Sequence, residues 1–420
     1  MQVLTIQKKL LFWFALAFIT LLFAEAAAYI GLAVLENGIA GKRLAYQPAD
    51  SLSDNHREIL SRLLIEEPGY TEYSADLGWA VKANAESAMH HPRGRSEYRY
   101  KSNSQGIRAE SDYSELPDPS RTRIATFGDS FTHGDEVGNG DTWQSQIMRL
   151  DDRLEVMNFG VGGFGLDQAF LRYRRDATRF NPDIVFIGFM PENIRRTVNV
   201  FRPFYHPESN TPLTKPRFTL HDDDLVLVPN PMARKSDYES LLQNPKSVLR
   251  EIGQNDDIYR IRYKSGPFDF LATVRLAKLI KEKFSRRYFG DGIIEDGVYV
   301  TSSDAFRITA RIFDSFYAEA QENDSVPVIV ILPSRKDVRY FLESGKRRYQ
   351  PLIDDLQTKG YRYIDLLATL VEGGLGEGYK FEELFTGHYS PTANRIVACA
   401  LVEYVGNLDG AGHVSSCGTE

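Results

Sequence analysis

The chain has 420 residues and a formal net charge of −7, and 42% of its residues are hydrophobic. This composition is typical of a folded protein, and the length fits one large α/β domain with attached segments. The acidic balance argues against a nucleic-acid partner, which requires a basic face. No grouping of His, Cys and Asp has the spacing of a metal site, so we expect neither a metal ion nor a cofactor.

The amino-terminal segment is the membrane candidate of the sequence. Residues 10–35 are almost continuously apolar, with Glu25 as the single charge, and they are long enough to cross a bilayer. Residues 24–26 (Ala-Glu-Ala) resemble a signal-peptide cleavage site, so a cleavable signal competes with an uncleaved anchor. Because the apolar run continues past that site, we favour the anchor, with residues 1–9 as a cytoplasmic tail and everything after the span exported.

The remainder of the chain divides by its hydrophobic pattern. Residues 36–120 predict a small β-containing lead-in. Residues 121–405 alternate short apolar runs with helical periodicity, which is typical of parallel βαβ units. Within them, residues 199–301 interrupt the alternation and are expected to form an insertion over the active face, with a core-facing helix around 268–287. Residues 406–420 form a carboxyl-terminal tail. The predicted strands of the main domain are 124–127, 154–158, 183–189, 327–332 and 361–364.

The two cysteines, Cys399 and Cys417, lie near the carboxyl terminus. In an exported domain, a disulfide between them would tie the tail to the last helix. Two unrelated thiols fit the sequence equally well, so both interpretations stay open.

A Gly-Asp-Ser turn follows the first predicted strand. It places the hydroxyl of Ser130 at the carboxyl end of a strand, where open α/β sheets place their chemistry. A serine becomes a nucleophile only where a base accepts its proton and N–H groups stabilise the oxyanion. Asp129 is expected to support the turn by accepting backbone N–H bonds, whereas His133 is expected on the far side of the turn.

Three further blocks follow other predicted strands and would meet Ser130 at one edge of the sheet. The glycine-rich residues 160–165 allow backbone N–H groups to approach a ligand, and Asn193 offers a side-chain amide. His388 lies on a loop after the last predicted strand, where it can serve as a general base. Each block alone has a structural explanation, but the four in this order predict a serine-histidine site.

Together the four blocks, over about residues 121–403, resemble the SGNH, or GDSL-type, hydrolase superfamily. The resemblance implies a three-layer α/β/α sandwich with a central parallel sheet of about five strands. It implies that Ser130 is the nucleophile, that its own N–H is one oxyanion donor, and that His388 is the general base. It also implies that Gly163 is the backbone donor and Asn193 the side-chain donor of the oxyanion hole.

The sequence departs from the family's pattern at two places. The acid usually found two or three residues before the histidine is missing, because a phenylalanine and a threonine stand there. Glu383 and Glu382, a little upstream, are the candidate acids, with a backbone carbonyl or a water molecule as alternatives. The block around Asn193 also differs, which leaves the register of the amide donor open by one residue, toward Glu192.

The implied reaction is acyl transfer from an ester. Water as the acceptor makes the protein an esterase, whose substrate we expect among the O-acyl or O-acetyl groups of a cell-envelope carbohydrate. A sugar hydroxyl as the acceptor makes it a polysaccharide O-acetyltransferase, and the missing acid motivates a third hypothesis, a non-catalytic carbohydrate-binding protein. Residues 77–79 and 103–108 also resemble segments ahead of this domain in membrane-anchored bacterial members, which implies the inner membrane with the domain outside the cytoplasm.

Overall fold

The structure, a computed structural model, describes residues 5–38, 44–66, 69–90, 97–288 and 292–408. Its strands are β1 (Thr71–Ser74), β2 (Gly78–Val81), β3 (Glu86–His90), β4 (Glu97–Lys101), β5 (Thr122–Phe127), β6 (Leu154–Asn158), β7 (Ile184–Phe189), β8 (Arg217–His221), β9 (Asp224–Val228), β10 (Ile294–Glu295), β11 (Val298–Tyr299), β12 (Val326–Ile331) and β13 (Tyr363–Asp365).

The helices are α1 (Ile6–Asn37), α2 (Asp54–Ile65), α3 (Ser130–His133), α4 (Trp143–Leu150), α5 (Leu166–Asp176), α6 (Arg202–Tyr205), α7 (Asp237–Gln243), α8 (Pro245–Ile252), α9 (Asp257–Ile261), α10 (Ala272–Tyr288), α11 (Asp304–Glu322), α12 (Arg335–Ser344), α13 (Gln350–Thr358), α14 (Leu367–Glu372), α15 (Phe381–Leu384) and α16 (Pro391–Leu408). Short 3₁₀ turns lie at Asn139–Asp141, Thr178–Phe180, Pro191–Val198, Gly253–Asn255 and Leu375–Glu377.

The central sheet is parallel, with the strand order β13-β12-β7-β5-β6. This confirms the predicted α/β class and the predicted strands, whose bounds differ from the observed ones by two residues or fewer. Thr126 on β5 aligns with Asn158 on β6 and with Phe186 on β7. The loops that follow these strands therefore meet at one edge of the sheet, which is where ligands bind in open α/β sheets.

Helices cover both faces of this sheet. Along β7, Val185 and Ile187 belong to an apolar cluster with α5, α11 and α13. The alternate residues Ile184 and Phe186 belong to a second cluster with α4, α14 and α16. Strands that are buried on both faces have continuous runs of apolar residues, which is why their positions could be predicted from the sequence. The arrangement is the three-layer α/β/α sandwich that was predicted.

A third apolar cluster joins the lead-in to the segment after β7. Trp79 of the lead-in packs in it with Phe164 of the main domain and with Phe204 of the segment 199–301. The lead-in contributes α2 and the hairpins β1-β2 and β3-β4. The segment 199–301 contributes helices α6 to α10 and the hairpins β8-β9 and β10-β11.

The amino-terminal helix α1 is long and apolar enough to cross a bilayer, and its most apolar window is not buried in the protein. Near its end, Ala28 and Leu32 are buried against Ala272 and Leu279 of α10. The expectation that α10 faces the domain core was therefore wrong, because its apolar face packs on α1 instead.

Cys399 lies on α16 and is disulfide-bonded. The other cysteine of the sequence, Cys417, lies outside the described residues, as does the predicted tail from residue 409 onward.

Candidate active site

The serine turn follows the end of β5 directly. A Cβ atom at Gly128 would lie 2.0 Å from Oγ1 of Thr132, so the tightness of this turn requires glycine. Asp129 is fully buried and caps α3 by accepting the N–H of Phe131 at 2.9 Å. This is the local role expected for Asp129. Ser130 is the first residue of α3 and is 6% exposed, so its hydroxyl lies at the sheet edge in a largely water-excluded position.

His388 lies between α15 and α16 and reaches the serine from the other end of the chain. Its Nε2 atom lies 2.9 Å from Oγ of Ser130. The imidazole ring packs against the ring of Phe131, with ring centroids 5.0 Å apart, and a bridge between Phe385 and Tyr389 closes the loop that carries it. The fold thus brings together the two residues that the sequence predicted as nucleophile and base.

The carboxylate that contacts His388 is Glu136. Its Oε1 atom lies 3.1 Å from Nδ1 of His388. Its Oε2 atom accepts the N–H of Gly387 at 2.6 Å, the N–H of His388 at 3.3 Å and the hydroxyl of Thr386. The second oxygen is therefore fixed by the histidine loop itself, and the first is held toward the imidazole.

The two acids expected from the sequence are engaged elsewhere. Glu382 forms an ion pair with Arg335, and Glu383 accepts the backbone N–H of Lys380 at 2.6 Å as a helix cap. Both carboxylates are engaged in these contacts and neither is the acid at the imidazole. The expectation of Glu383 or Glu382 beside His388 is therefore corrected to Glu136.

The contact between Glu136 and His388 shifts the pKa values of both side chains. Burial raises the pKa of Glu136, but the hydrogen bonds from His388 and Thr386 outweigh it and lower that pKa to about 2. Burial lowers the pKa of His388, but the hydrogen bond to Glu136 and the charge of Asp135 outweigh it and raise that pKa above its ordinary value. A charged carboxylate stabilises an imidazolium, which is the form a general base adopts after it takes a proton.

The turn that presents Glu136 is held by the lead-in. Glu136 itself has a φ of 72°, a left-handed conformation that is uncommon for a residue with a side chain. Its N–H donates to the hydroxyl of Tyr100 at 2.7 Å. Arg108 donates to the carbonyl oxygens of His133, Gly134 and Val137 at 2.6–2.7 Å. These contacts offset the cost of the strained backbone and fix the direction of the carboxylate.

The predicted oxyanion donors follow β6 and β7, the strands on either side of the strand β5 that precedes Ser130. Gly163 has a φ of 82°, which favours glycine, and the preceding carbonyl of Gly162 accepts the indole N–H of Trp79 at 2.9 Å. Asn193 is 1% exposed and donates through Nδ2 to Oδ2 of Asp129 at 3.2 Å. An amide nitrogen carries two N–H groups, so one remains for a ligand.

The sequence left open whether the side chain at position 192 or the one at position 193 lies beside the serine. Glu192 lies 3.9 Å from Arg196 in an ion pair, and its side chain is 42% exposed. Asn193, in contrast, is buried and forms a hydrogen bond with Asp129, the residue that precedes Ser130. The contacts therefore favour Asn193 as the amide beside the serine.

The contacts of His133 indicate a structural role for this side chain. Its ring is buried, with Nδ1 2.6 Å from Oδ1 of Asp135 and Nε2 3.2 Å from the hydroxyl of Tyr70. Burial and the charge of Arg108 lower its pKa to about 4, so the ring is neutral at pH 7. Among the residues that the structure describes, no group of three or more His, Cys, Asp or Glu side chains could hold a metal ion.

No family model matches the chain, and no curated protein matches it. Among solved structures, the chain is similar to a lipolytic protein of the G-D-S-L family from Desulfitobacterium hafniense, with 11% identity and a TM-score of 0.33 over 67% of this chain and 99% of that one. It is also similar to a catalytic mutant of an acetylxylan esterase from Geobacillus stearothermophilus, with 13% identity and a TM-score of 0.35 over 68% and 95%.

The residue that sequence reasoning missed is Glu136. It lies six residues after Ser130, in a Gly-Asp-Glu run on the same sheet edge as the serine. An acidic pair in the loop directly after the nucleophile was a usable signal. Its contact with His388 spans 252 residues of sequence, so spacing along the chain could not reveal it.

Proposed function

We propose that this chain is a serine esterase of the SGNH type. The observation that carries the proposal is the contact series from Ser130 through His388 to Glu136, at 2.9 and 3.1 Å. A hydroxyl, an imidazole and a carboxylate in this order make an activated nucleophile, whatever fold presents them.

The chemistry follows from the geometry. Nε2 of His388 takes the proton of Ser130 as Oγ forms a bond to the ester carbonyl carbon. The resulting oxyanion is stabilised by the N–H groups of Ser130 and Gly163 and by the amide of Asn193. The carbonyl re-forms, the alcohol leaves with the proton from His388, and an acyl-serine remains. A water molecule, deprotonated by the same imidazole, attacks the acyl group and releases the acid and the free serine.

The substrate class we propose is an O-acyl or O-acetyl ester on a carbohydrate of the cell envelope. An anchored domain outside the cytoplasm would meet such polymers. An O-acetyltransferase would use the same nucleophile and base, with a sugar hydroxyl in place of water. The hypothesis of a non-catalytic binding protein was based on the missing acid. It is no longer supported by that observation, because Glu136 contacts the imidazole of His388.

We further propose that α1 is an uncleaved anchor. The carboxylate of Glu25 accepts the N–H of Ala272 and, at 3.0 Å, the N–H of Thr273, so it caps the first turn of α10. Cleavage near residues 24–26 would remove this cap and expose the apolar contact of α10 with α1. Edman sequencing of the membrane-bound protein tests this proposal, and a mature chain that starts near Ala27 contradicts it.

Hydrolysis of p-nitrophenyl acetate by the full-length chain in detergent tests the proposed reaction. Activity is expected in the unsubstituted chain and in His221→Ala, an exposed control histidine, and it is expected to vanish in Ser130→Ala and His388→Ala. Equal rates in all four folded proteins would contradict the proposal. A rate of p-nitrophenol release that rises with added glycan acceptor, with acetyl groups recovered on the glycan, would identify a transferase.

A further inference from the structure

The loop before α10 carries two exposed aromatic side chains beside the anchor helix. Phe268 is 62% exposed and Phe270 is 74% exposed, and α10 begins two residues later at Ala272. Single exposed apolar side chains are ordinary on protein surfaces, so their position must decide whether these two have a role.

The contacts between α1 and α10 fix the level of this loop. The carboxylate of Glu25 accepts the N–H of Ala272, the N–H of Thr273 at 3.0 Å and the hydroxyl of Thr273 at 2.8 Å. Further along, a Cβ atom at Gly31 would lie 3.7 Å from Leu276. The helix α10 therefore starts beside Glu25 and runs along α1 in the same direction, away from the amino terminus.

The length of α1 places Glu25 near the outer edge of the bilayer. With 32 residues, α1 is about 48 Å long, whereas a hydrocarbon core of about 30 Å needs about 20 residues. A span that starts after Lys9 then ends near Tyr29, roughly one helical turn beyond Glu25. The loop at the level of Glu25 thus lies in the outer leaflet, about one helical turn on the acyl-chain side of the boundary with the headgroups.

The polar groups of the loop are directed into the protein. Asp269, between the two phenylalanines, accepts the hydroxyl of Tyr46 at 2.7 Å, the N–H of Gly266 at 2.9 Å and the ammonium of Lys278 at 2.5 Å. The charge that would oppose contact with lipid is therefore neutralised internally, while the aromatic rings on both sides of it stay outside.

We propose that Phe268 and Phe270 form a membrane tip that inserts into the outer leaflet next to α1. Phenylalanine is among the side chains that insert into the boundary region between headgroups and acyl chains, and the tip lies beside the apolar span because α10 starts at Glu25 of α1. Together, anchor and tip hold the domain to the bilayer at two points and fix the orientation of the active site relative to the membrane. This inference rests on the uncleaved anchor proposed above.

Nitroxide labels on the full-length chain in nanodiscs of phosphatidylethanolamine and phosphatidylglycerol test the tip. The labelled variants are Phe270→Cys in the tip, Thr20→Cys in the span and Leu116→Cys, which is 78% exposed on the main domain. The unsubstituted chain, taken through the same labelling, gives the background. Power saturation with oxygen, which concentrates in lipid, and with a water-soluble nickel chelate gives the collision ratio at each site.

The ratio of oxygen to nickel collisions is expected to exceed one at positions 20 and 270 and to fall below one at position 116. A ratio above one at position 20 with a ratio below one at position 270 would overturn the membrane tip and leave the anchor intact. Ratios below one at both positions would overturn the anchor and the tip together. Neither result affects the esterase proposal, which has its own assay.

Discussion

Replacing Glu136 with glutamine changes one atom of the site, and the structure gives the direction of the effect. Oε2 of Glu136 accepts N–H and O–H groups of the histidine loop, whereas Oε1 faces Nδ1 of His388. In Glu136→Gln, the amide oxygen is expected at the Oε2 position, because only an oxygen accepts those bonds. The amide nitrogen then faces the imidazole and donates to Nδ1.

This donation fixes the wrong tautomer of His388. With Nδ1 as acceptor, the proton of the neutral ring lies on Nε2, which then cannot take the proton of Ser130. The corresponding change from acid to amide in a serine triad lowers kcat by roughly 10⁴. We expect Glu136→Gln to lower kcat/KM for p-nitrophenyl acetate by about 10³–10⁴, equivalent to about 4–5.5 kcal/mol.

The matched controls are Glu382→Gln and Glu383→Gln, the acids that the sequence suggested. Glu382 lies in an exposed ion pair and Glu383 in a helix cap, so each variant is expected to keep kcat/KM within about threefold. Circular dichroism and thermal unfolding confirm that all three variants are folded. Full activity in Glu136→Gln together with a large loss in either control would refute the assignment of the acid.

Three further predictions follow from the same contacts. In Asn193→Ala, loss of one oxyanion donor is expected to lower kcat by about 10²–10³ with KM little changed, and an unchanged kcat would remove Asn193 from the oxyanion hole. In an NMR titration, the ring of His388 is expected to titrate above its ordinary pKa in the unsubstituted chain and at a lower pH in Glu136→Gln, because the interaction that raises this pKa is lost. A shift in the opposite direction would contradict the pairing. In Tyr100→Phe, the partly buried N–H of Glu136 loses its acceptor, so urea unfolding is expected to give a free energy of unfolding lower by about 0.5–1.5 kcal/mol, whereas an unchanged value would mean that Tyr100 does not hold this turn.

The sheet and the ends of its strands were predictable because their signals are local. Strands such as β7 are buried on both faces, so they read as unbroken apolar runs. The order of elements then fixed a parallel sheet, and the parallel sheet placed Ser130, Asn193 and His388 at one edge. Ser130 and Asn193 could be nominated from the sequence because each lies within four residues of the end of a strand, whereas His388 was nominated from the loop that precedes the last helix.

The orienting acid could not be located in the same way. Glu136 depends on a turn of left-handed residues that Tyr100 and Arg108 of the lead-in hold in place, and such support is visible only in three dimensions. The same holds for α10, whose apolar spacing indicated a buried face without indicating its partner. Its partner is α1, more than 230 residues earlier in the chain.

The most direct test of the central claim is covalent labelling of the full-length chain with a fluorophosphonate, followed by peptide mass spectrometry. A phosphonyl adduct is expected on the peptide that contains Ser130, absent in Ser130→Ala and formed much more slowly in His388→Ala, because only a serine activated by its base attacks phosphorus readily. An adduct on another residue, or equal labelling of Ser130 in the folded His388→Ala variant, would contradict the account.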